Sequence, residues 1–334
     1  MEPRTIAYNA RSRWSEAQRQ HHSRHLRGAL VALLDRGPCT ARDVAETTGL
    51  SRVTANTLLH ELAELGLAQL AGLRRRSTGP QARIFAVRPA ALRFAVAVFR
   101  PGQLVTASGR SPDLLAPATA VDTGRHPDLD LIAHALAEAT GADEPRHVVV
   151  ALPAGECREQ TERNLTKRLG CSVTVRPHAD LAALAEATVG AARAASDFLL
   201  VTGDEAGVKH VVDGVVRHGA HGRAGAWGPL TDWVTRTSGA GSDEALLAAV
   251  TASCLVTDPS LVVLTEETRT LARPLTDALG ELLPAPPPVT VSTVGGDPVL
   301  HGALHLAART VRSDLLRRTS DDRPPLNLAA VSTS

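Results

Sequence analysis

The sequence predicts two folded parts, an α+β winged helix-turn-helix and, after it, a larger α/β domain. Two observations predict this division. Helical patterns followed by two short apolar stretches occupy residues 15–90. Strands alternating with helices fill residues 91–318, which is typical of an α/β domain with a largely parallel sheet. Residues 1–14 and 319–334 lack any periodic pattern and are predicted to be disordered tails.

The composition limits what the chain can bind. Of its 334 residues, 43% are hydrophobic but only 2% are aromatic. Because single-stranded nucleic acid stacks on aromatic side chains, that partner is disfavoured. The formal net charge is +1, so binding of double-stranded DNA would need a local basic patch. No apolar run approaches the length of a membrane span and the N-terminus lacks a signal-peptide core, so we expect a cytoplasmic protein without membrane contact.

The first predicted helix begins at Ser15 and ends at Gly37-Pro38. Its apolar residues share one face and therefore predict a buried side: Leu26, Ala29, Leu30, Leu33 and Leu34. Histidines near its start resemble a metal cluster: His21, His22 and His25. No carboxylate or cysteine stands nearby in the sequence, so a solvated helix face is favoured over a metal site.

The signals that follow are typical of a helix-turn-helix. Thr40 with Asp43 three residues later predicts the capped start of a short second helix. Gly49 is expected in a left-handed turn that closes this helix. Ser51 then caps a third helix that runs to about Leu65.

The third helix has two unlike faces. One face is apolar and predicts packing on the first two helices: Ala55, Leu58, Leu59 and Leu62. The opposite face is small, largely polar and free of acidic residues: Val53, Asn56, Thr57 and His60. Such a face fits the major groove of DNA. Asn56 could form two hydrogen bonds with adenine, and Val53 and Thr57 could contact a thymine methyl group. A solvated helix face is the alternative.

A β-hairpin is predicted from the apolar stretches Leu67–Leu70 and Ile84–Val87. The turn between them contains Arg74, Arg75 and Arg76, which we expect to enter a minor groove, where the potential is most negative. Three solvated arginines on a loop are the alternative. Further predicted DNA contacts flank the third helix or lie where phosphates would position it: Arg42, Ser51, Arg52, Thr54 and His60.

Three segments of the α/β part carry a family resemblance. Residues 212–225 read VDGVVRHGAHGRAG, residues 177–186 read PHADLAALAE, and residues 295–307 contain a GxxxxxxGAxxLA pattern. They resemble the glycine-rich GAHGRAG loop, the NDANAAALGE segment and the closing helix of the ROK family of repressors, open reading frames and sugar kinases. The resemblance covers residues 20–315. It implies a winged helix-turn-helix joined to a two-lobed, actin-like (sugar-kinase-like, ribonuclease H-like) domain.

The residues that would perform sugar chemistry differ from the family pattern. The resemblance implies an acid–base aspartate where Pro177 and His178 stand. The family's sugar-binding Glu and His are replaced by Ala226 and Pro229. The family's zinc site uses one His and three Cys, and residues 230–246 contain neither type.

The nucleotide-binding segments differ as well. Residues 97–102 replace the family's first phosphate loop, DxGxT, and residues 203–207 replace its second. Asp204 and Glu205 in the second loop would repel a triphosphate. Near Thr265-Glu266-Glu267 the glycine pair that accompanies adenosine is missing. Together the substitutions predict a protein without enzymatic activity, cofactor or metal, whose domain is kept as a scaffold.

Several polar residues and one tryptophan fall near the cleft of the related domain: His178, Asp180, Asp204, Glu205, His221, Arg223 and Trp227. They are candidates for an effector pocket with Trp227 as its apolar wall, because a cleft between lobes is a common ligand site. Ordinary polar residues lining a collapsed cleft are the alternative, and the sequence leaves both open.

These features predict a sequence-specific bacterial transcription regulator of the ROK type, most simply a repressor. A homodimer, or a dimer of dimers, would place two winged helices on a two-fold DNA operator, and a small-molecule effector could change their spacing. One alternative is a ligand-independent architectural regulator that uses the domain only to oligomerise. A sugar kinase with an N-terminal extension is less favoured, because it needs the missing carboxylate and phosphate loops.

Overall fold

A computed structural model describes residues 15–74, 81–111, 114–115, 118–141, 144–153, 158–203, 207–220, 224–239 and 241–320. The chain divides into two compact units. One unit comprises the residues up to Arg93 together with those from Arg309 onward. The other comprises Phe94–Ala308.

The N-terminal unit contains three helices followed by a β-hairpin, in the predicted order. The helices are α1 (Glu16–Arg36), α2 (Ala41–Thr48) and α3 (Arg52–Glu64). The strands are β1 (Cys39–Thr40), β2 (Ala68–Arg74) and β3 (Ala82–Val87). They form an antiparallel sheet in the order β1-β3-β2. The core is made by apolar side chains of all three helices and of β3, including Leu30, Leu33, Val44, Leu59 and Phe85.

Local signals set the ends of these helices, as the sequence predicts. Ser15 and Thr40 each form a capping box at the start of α1 and of α2. Gly49 adopts a left-handed conformation with φ 72°, which lets the chain turn from α2 into α3. The Ser51 hydroxyl accepts a hydrogen bond from the Thr54 backbone N–H and caps α3.

The larger unit contains two sheets. In the first, the path β6-β5-β4-β8-β9 joins β6 (Leu114–Leu115), β5 (Gln103–Ser111), β4 (Phe94–Arg100), β8 (His147–Leu152) and β9 (Ser172–Pro177). Strand β7 (Thr119–Asp122) pairs with β5. Helices α4 (Leu129–Thr140) and α5 (Arg158–Leu169) pack on this sheet through Ile132, Leu136 and Leu165.

The second sheet has the order β12-β11-β10-β13-β14. Its strands are β10 (Asp197–Thr202), β11 (Gly207–Val212), β12 (Val215–Val216), β13 (Val262–Leu264) and β14 (Val289–Val291). The accompanying helices are α7 (Gly228–Ser238), α8 (Ser242–Thr257) and α9 (Ala272–Leu282). Leu246 and Val250 of α8 and Leu275 and Leu279 of α9 pack on its apolar face. No helix among the described residues is long and apolar enough to span a bilayer.

The prediction of a largely parallel sheet is wrong, because both sheets are mixed. Strands β4, β8 and β9 run parallel, but β5 is antiparallel to β4. Likewise β10, β13 and β14 run parallel, and β11 is antiparallel to β10. A tight turn can join only antiparallel strands. Pro101-Gly102, with Gly102 at φ 91°, makes such a turn directly after β4.

Helix α6 (His178–Thr188) lies between the two sheets of this unit. It contains most of the segment PHADLAALAE, and it ends at Thr188. Pro177 serves as the N-cap with φ −62°. The helix stops before Gly190, where a Cβ atom would lie 2.2 Å from the Glu186 carboxylate. The Glu186 Oε2 atom instead accepts the Ala191 backbone N–H at 2.9 Å.

The closing helix α10 (Pro298–Arg317) passes unusually close to α6. At Gly302 a Cβ atom would lie 1.8 Å from the Leu181 carbonyl oxygen. Only glycine permits this approach of two helix backbones. Because α6 also contacts β8 and β9 of the first sheet and β11 and β12 of the second, its polar residues are buried where the two sheets meet.

Candidate nucleic-acid interface

Helix α3 has one buried face and one exposed face, as the sequence predicts. Ala55, Leu58, Leu59 and Leu62 are buried in the core of the N-terminal unit. Val53 is 78% exposed, and Asn56 and Thr57 are also exposed. An apolar side chain as exposed as Val53 is not explained by packing within the unit. The exposed face therefore offers one amide, one hydroxyl and one apolar side chain to a partner, with no acidic group between Arg52 and His60.

His60 lies at the edge of this face and contacts the hairpin. Its Nε2 atom is 3.1 Å from Nη1 of Arg83. Its ring packs edge-on against Phe85, with 5.2 Å between the ring centroids. These contacts join the last part of the exposed face of α3 to β3. They fix the orientation of the hairpin relative to α3, a role that the sequence did not suggest.

Two of the candidate DNA-binding arginines form ion pairs. The Arg42 Nε atom lies 2.6 Å from the Glu46 carboxylate. Arg74 ends β2, rather than standing within the turn as predicted, and its guanidinium lies 3.6 Å from Asp43. The backbone N–H of Thr40 holds the pKa of Asp43 below its ordinary value, and the charge of Arg74 adds to this effect. Arg75 and Arg76 lie outside the described residues.

The other candidate residues surround the start of α3. Arg52 is exposed on its first turn. The Ser51 and Thr54 hydroxyls lie 2.8 Å apart. Both residues serve the helix cap, and Thr57 donates its hydroxyl hydrogen to the Val53 carbonyl. The hydroxyl groups therefore support the helix start, while Arg52 supplies the positive charge beside it.

The histidine cluster of α1 has a carboxylate partner that the sequence did not reveal. Nε2 of His22 lies 2.9 Å from Oε2 of Glu61 on the inner side of α3. The expectation that no carboxylate is near these histidines is therefore wrong. The rings of His21 and His25 pack edge-on, with 4.1 Å between their centroids. Burial, together with the positive neighbours His21, His22 and Arg24, lowers the pKa of His25. No group of three potential metal ligands occurs in the described part of the chain.

A second polar site lies where α6 meets the second sheet. The side chain of Asp180 is 4% exposed, and its carboxylate oxygens accept no hydrogen bond from the described residues. Its nearest partners are Nζ of Lys209 at 3.4 Å and Nδ1 of His218 at 3.6 Å. His178, two residues earlier at the start of the same helix, is also buried. The structure thus joins Asp180 to two groups that the sequence did not single out.

The remaining cleft candidates divide into two groups. Asp204, Glu205, His221 and Arg223 lie outside the described residues. Trp227 is half-buried and packs on the apolar cluster of the second sheet. Gly225 stands just before it with φ 75°, where a Cβ atom would lie 1.6 Å from the Val208 carbonyl oxygen. The end of the glycine-rich loop therefore packs directly on β11, where the Gly225 carbonyl oxygen accepts the Val208 backbone N–H at 2.8 Å.

The positions that correspond to a nucleotide site hold contacts within the chain. At the end of β4, Nη2 of Arg100 lies 2.8 Å from Oδ1 of Asp297. The same oxygen accepts the backbone N–H groups of Val299 and Leu300 at the start of α10. Burial acts to raise the pKa of Asp297, but the hydrogen bond and charge of Arg100 outweigh it and lower this pKa.

The second phosphate segment is approached by a carboxylate from the chain itself. A Cβ atom at Gly203 would lie 2.7 Å from both Cβ and Oε2 of Glu267. The Glu267 side chain therefore lies directly against the start of the segment to which the resemblance assigns phosphate binding.

These sheets define the larger unit as an α/β fold with two mixed sheets. No protein-family model and no curated protein matches the sequence. Among solved structures, a ROK family transcriptional regulator, a homologue of the E. coli MLC protein, matches over 90% of this chain and 99% of that chain, with TM-score 0.60 and 14% identity.

Two further matches cover a smaller part of this chain. The ROK hexokinase of Thermus thermophilus matches 66% of this chain and 99% of its own, with TM-score 0.52 and 19% identity. A Streptococcus pneumoniae ROK family protein in complex with sucrose matches 66% of this chain and 99% of its own, with TM-score 0.51 and 14% identity. At these identities the likeness establishes the fold. The resemblance to the ROK family is thus confirmed as a shared fold, one that regulators and sugar kinases have in common.

Proposed function

We propose that the protein is a DNA-binding transcription regulator of the ROK type, most simply a repressor. The observation that carries this proposal is the exposed, acid-free face of α3, with Val53, Asn56 and Thr57 projecting from a capped helix start. Such a helix fits the major groove, and the hairpin after it completes a winged helix-turn-helix. The match to a ROK regulator, which extends over 90% of the chain, supports this reading.

The cleft of the larger unit supports a function other than sugar phosphorylation. General-base catalysis on a hydroxyl needs a group that can reach the proton. At the corresponding place stand Pro177 and the buried His178. An ion pair, Arg100–Asp297, and the Glu267 carboxylate occupy the nucleotide positions. We therefore expect no sugar-dependent consumption of ATP. Turnover of glucose or N-acetylmannosamine by the purified chain would contradict this expectation.

The decisive experiment selects DNA from a random duplex library with the full chain and then compares variants on the enriched sequence. Asn56→Ala removes a two-point contact to a base, so we expect discrimination at one position of each half-site to fall by about 1–3 kcal/mol, roughly 5–150-fold in relative affinity. Affinity for unrelated DNA should change little. Gln20→Ala, which removes an exposed amide from α1, is the matched control and should leave selectivity intact.

Three outcomes separate the readings. Enrichment of a two-fold motif whose selectivity depends on Asn56 supports the proposal. Equal selectivity of Asn56→Ala and the wild type would show that α3 does not read bases. Absence of any enriched sequence would overturn sequence-specific regulation itself.

A second candidate is a ligand-independent architectural regulator. It is favoured by ion pairs within the chain at or beside positions where the resemblance places the cleft, namely Asp180 with Lys209 and Arg100 with Asp297. Titration of the protein–operator complex with sugars, sugar phosphates and small secondary metabolites distinguishes the candidates. Release by one compound establishes a ligand-responsive regulator. An unchanged complex across the panel favours the architectural role.

A further inference from the structure

An arginine of the hairpin, Arg83, is paired with a histidine of α3. Nη1 of Arg83 lies 3.1 Å from Nε2 of His60. A guanidinium group has no lone pair that accepts a hydrogen bond, so Arg83 is the donor and Nε2 of His60 is the acceptor. The imidazole ring is therefore neutral in this pair, with its proton on Nδ1. The ring of Phe85 packs edge-on against it, with 5.2 Å between the centroids, and holds the imidazole in place.

The positive charge of Arg83 has no carboxylate partner among the described residues. Arg74, on the neighbouring strand of the hairpin, forms an ion pair with Asp43. Arg83 is exposed and meets the neutral ring of His60 instead. Only one of its five N–H groups is needed for that contact, so the other four are left to donate to a ligand. Glu64, exposed one turn after His60 on α3, bounds this basic surface with a negative charge.

Arg83 stands near the outer end of the hairpin. In the register of β2 with β3 it faces Leu73, one pair before the last described pair. It shares a strand face with Phe85, two residues further on, because side chains alternate along a strand. Phe85 is buried, whereas Arg83, closer to the turn, is exposed. Arg83 and His60 therefore occupy the junction between the exposed face of α3 and the outer end of the hairpin.

We propose that Arg83 and His60 together bind one phosphate of the DNA backbone. When α3 lies in a major groove, the hairpin turn beside it reaches the neighbouring minor groove. A sugar–phosphate strand separates these two grooves, so it passes the junction that Arg83 and His60 occupy. The inference rests on the proposed function and adds to it a phosphate site and the binding residue Arg83.

The chemistry of the pair selects a ligand that accepts hydrogen bonds. A guanidinium group binds two phosphate oxygens through parallel N–H groups. His60 adds the Nδ1–H group as a further donor, because its other nitrogen accepts from Arg83. Guanine N7 and O6 are the competing acceptors in the major groove. Arg83 comes from the hairpin and not from the helix in the groove, so its position favours the backbone.

The first measurement is the salt dependence of binding by the full chain. The probe is a duplex of unrelated sequence, because phosphate contacts carry no sequence information. Arg83→Gln removes one phosphate contact, so the slope of log K against log salt concentration should become shallower by about 1. At low salt the affinity should fall roughly 10-fold or more, as expected for hydrogen bonds to a charged group.

Two further variants separate charge from packing. Arg88→Gln removes an exposed arginine at the base of the same hairpin, about 17 Å further from the turn along the strand. It is the matched control and should keep the slope of the wild type. Arg83→Lys keeps the charge without the planar donor group, so it should restore the slope while leaving the affinity below that of the wild type.

The second measurement identifies the acceptor, on the sequence that the wild type enriches from the random library. Single phosphates are replaced by uncharged methylphosphonates along the strand between the two grooves. One replacement in each half-site should weaken the wild type roughly 10-fold and leave Arg83→Gln almost unchanged, because the two changes remove the same contact. His60→Leu removes the second donor and should reduce the sensitivity to the same replacement. Substitution of guanines by 7-deazaguanine tests the competing acceptor.

The outcomes separate this inference from the proposed function. A slope that Arg83→Gln leaves unchanged, in a chain that still selects DNA, overturns the phosphate site alone. Loss of the Arg83 contact upon 7-deazaguanine substitution, and not upon methylphosphonate substitution, assigns the pair to guanine and also overturns it. A wild type that enriches no sequence, but whose salt slope depends on Arg83, refutes sequence-specific regulation and supports the phosphate site. A wild type that binds no DNA at low salt refutes both.

Discussion

Asp180 is expected to be the most sensitive charged residue of the larger unit. Its side chain is 4% exposed and that of Lys209 is 13% exposed, and the carboxylate lies 3.4 Å from the ammonium group. Asp180→Asn keeps the size of the side chain and removes its charge. Lys209 would then keep a nearly buried positive charge without its carboxylate. Such removal of one member of a buried ion pair typically costs about 3–5 kcal/mol of unfolding free energy.

The same magnitude follows from the distance between the charges. At 3.4 Å, two unit charges attract by about 5 kcal/mol if the effective dielectric constant is about 20, as in partly buried sites. Lys209→Met should cost a similar amount, since His218 at 3.6 Å only partly replaces the ammonium group. The double variant leaves neither charge unpaired. We therefore expect its cost to be smaller than the sum of the two single costs by about 2–3 kcal/mol.

The assay is urea unfolding at pH 7.5, followed by tryptophan fluorescence. Two of the three tryptophans, Trp227 and Trp233, lie in the larger unit and report on it. The exposed pair Arg273–Asp277 is the control, and Asp277→Asn should cost less than 1 kcal/mol. Costs for Asp180→Asn below 1 kcal/mol, or single costs that simply add in the double variant, would refute the conclusion that this pair is buried and coupled.

Three further predictions follow from local geometry. Gly225→Ala should prevent stable folding of the larger unit, because its Cβ atom would meet the Val208 carbonyl oxygen. Gly239 also has a positive φ of 73°, but open space surrounds it, so Gly239→Ala should lower the free energy of unfolding by only about 1 kcal/mol, measured by thermal unfolding. Burial, assisted by the charge of Arg176, lowers the pKa of His147 to about 4. Between pH 6.5 and 4 the unfolded chain therefore binds a proton that the folded chain does not, so the free energy of unfolding should fall by about 3 kcal/mol as the pH is lowered through this range. His147→Leu should reduce this pH dependence. Thr40→Ala removes the cap of α2 and should cost about 1 kcal/mol, measured by urea unfolding against the exposed Thr119→Ala as control.

The N-terminal unit could be predicted closely because its signals are local. Thr40 and Asp43 cap each other across three residues, and Gly49 and Ser51 set the turn into α3 within the next few positions. The two faces of α3 follow from the helical spacing of the apolar residues within it. Each signal involves residues within a few positions of one another, so the sequence alone contains what is needed to recognise them.

Pairings between distant segments could not be predicted in the same way. His22 meets Glu61 across 39 positions, and Arg100 meets Asp297 across 197. Lys209 stands in an apolar strand without any motif around it, and only the packing of α6 on β11 brings it to Asp180. The antiparallel pairing of β5 with β4 is equally hard to predict, because the turn at Pro101-Gly102 falls in the segment that corresponds to a phosphate loop in the family pattern.

The segments that resemble the ROK pattern contain two kinds of residue. Some are needed for packing within the domain, and others correspond to positions that bind sugar or nucleotide in the family pattern. Gly225 and Gly302 keep the family's glycines, and in each place a Cβ atom would lie within 2 Å of a backbone carbonyl oxygen. Glu186 also keeps the family residue, and it is buried between the Ala191 backbone and the Ser292 hydroxyl. The substituted positions are different in kind, since the family's acid–base and sugar-binding residues give way to His178, Ala226 and Pro229. The residues that match the family pattern are thus those that the close packing of sheets and helices requires, whereas the residues that differ from it are those to which the resemblance assigns sugar and nucleotide binding. We therefore expect that the domain is kept for its shape, as a scaffold.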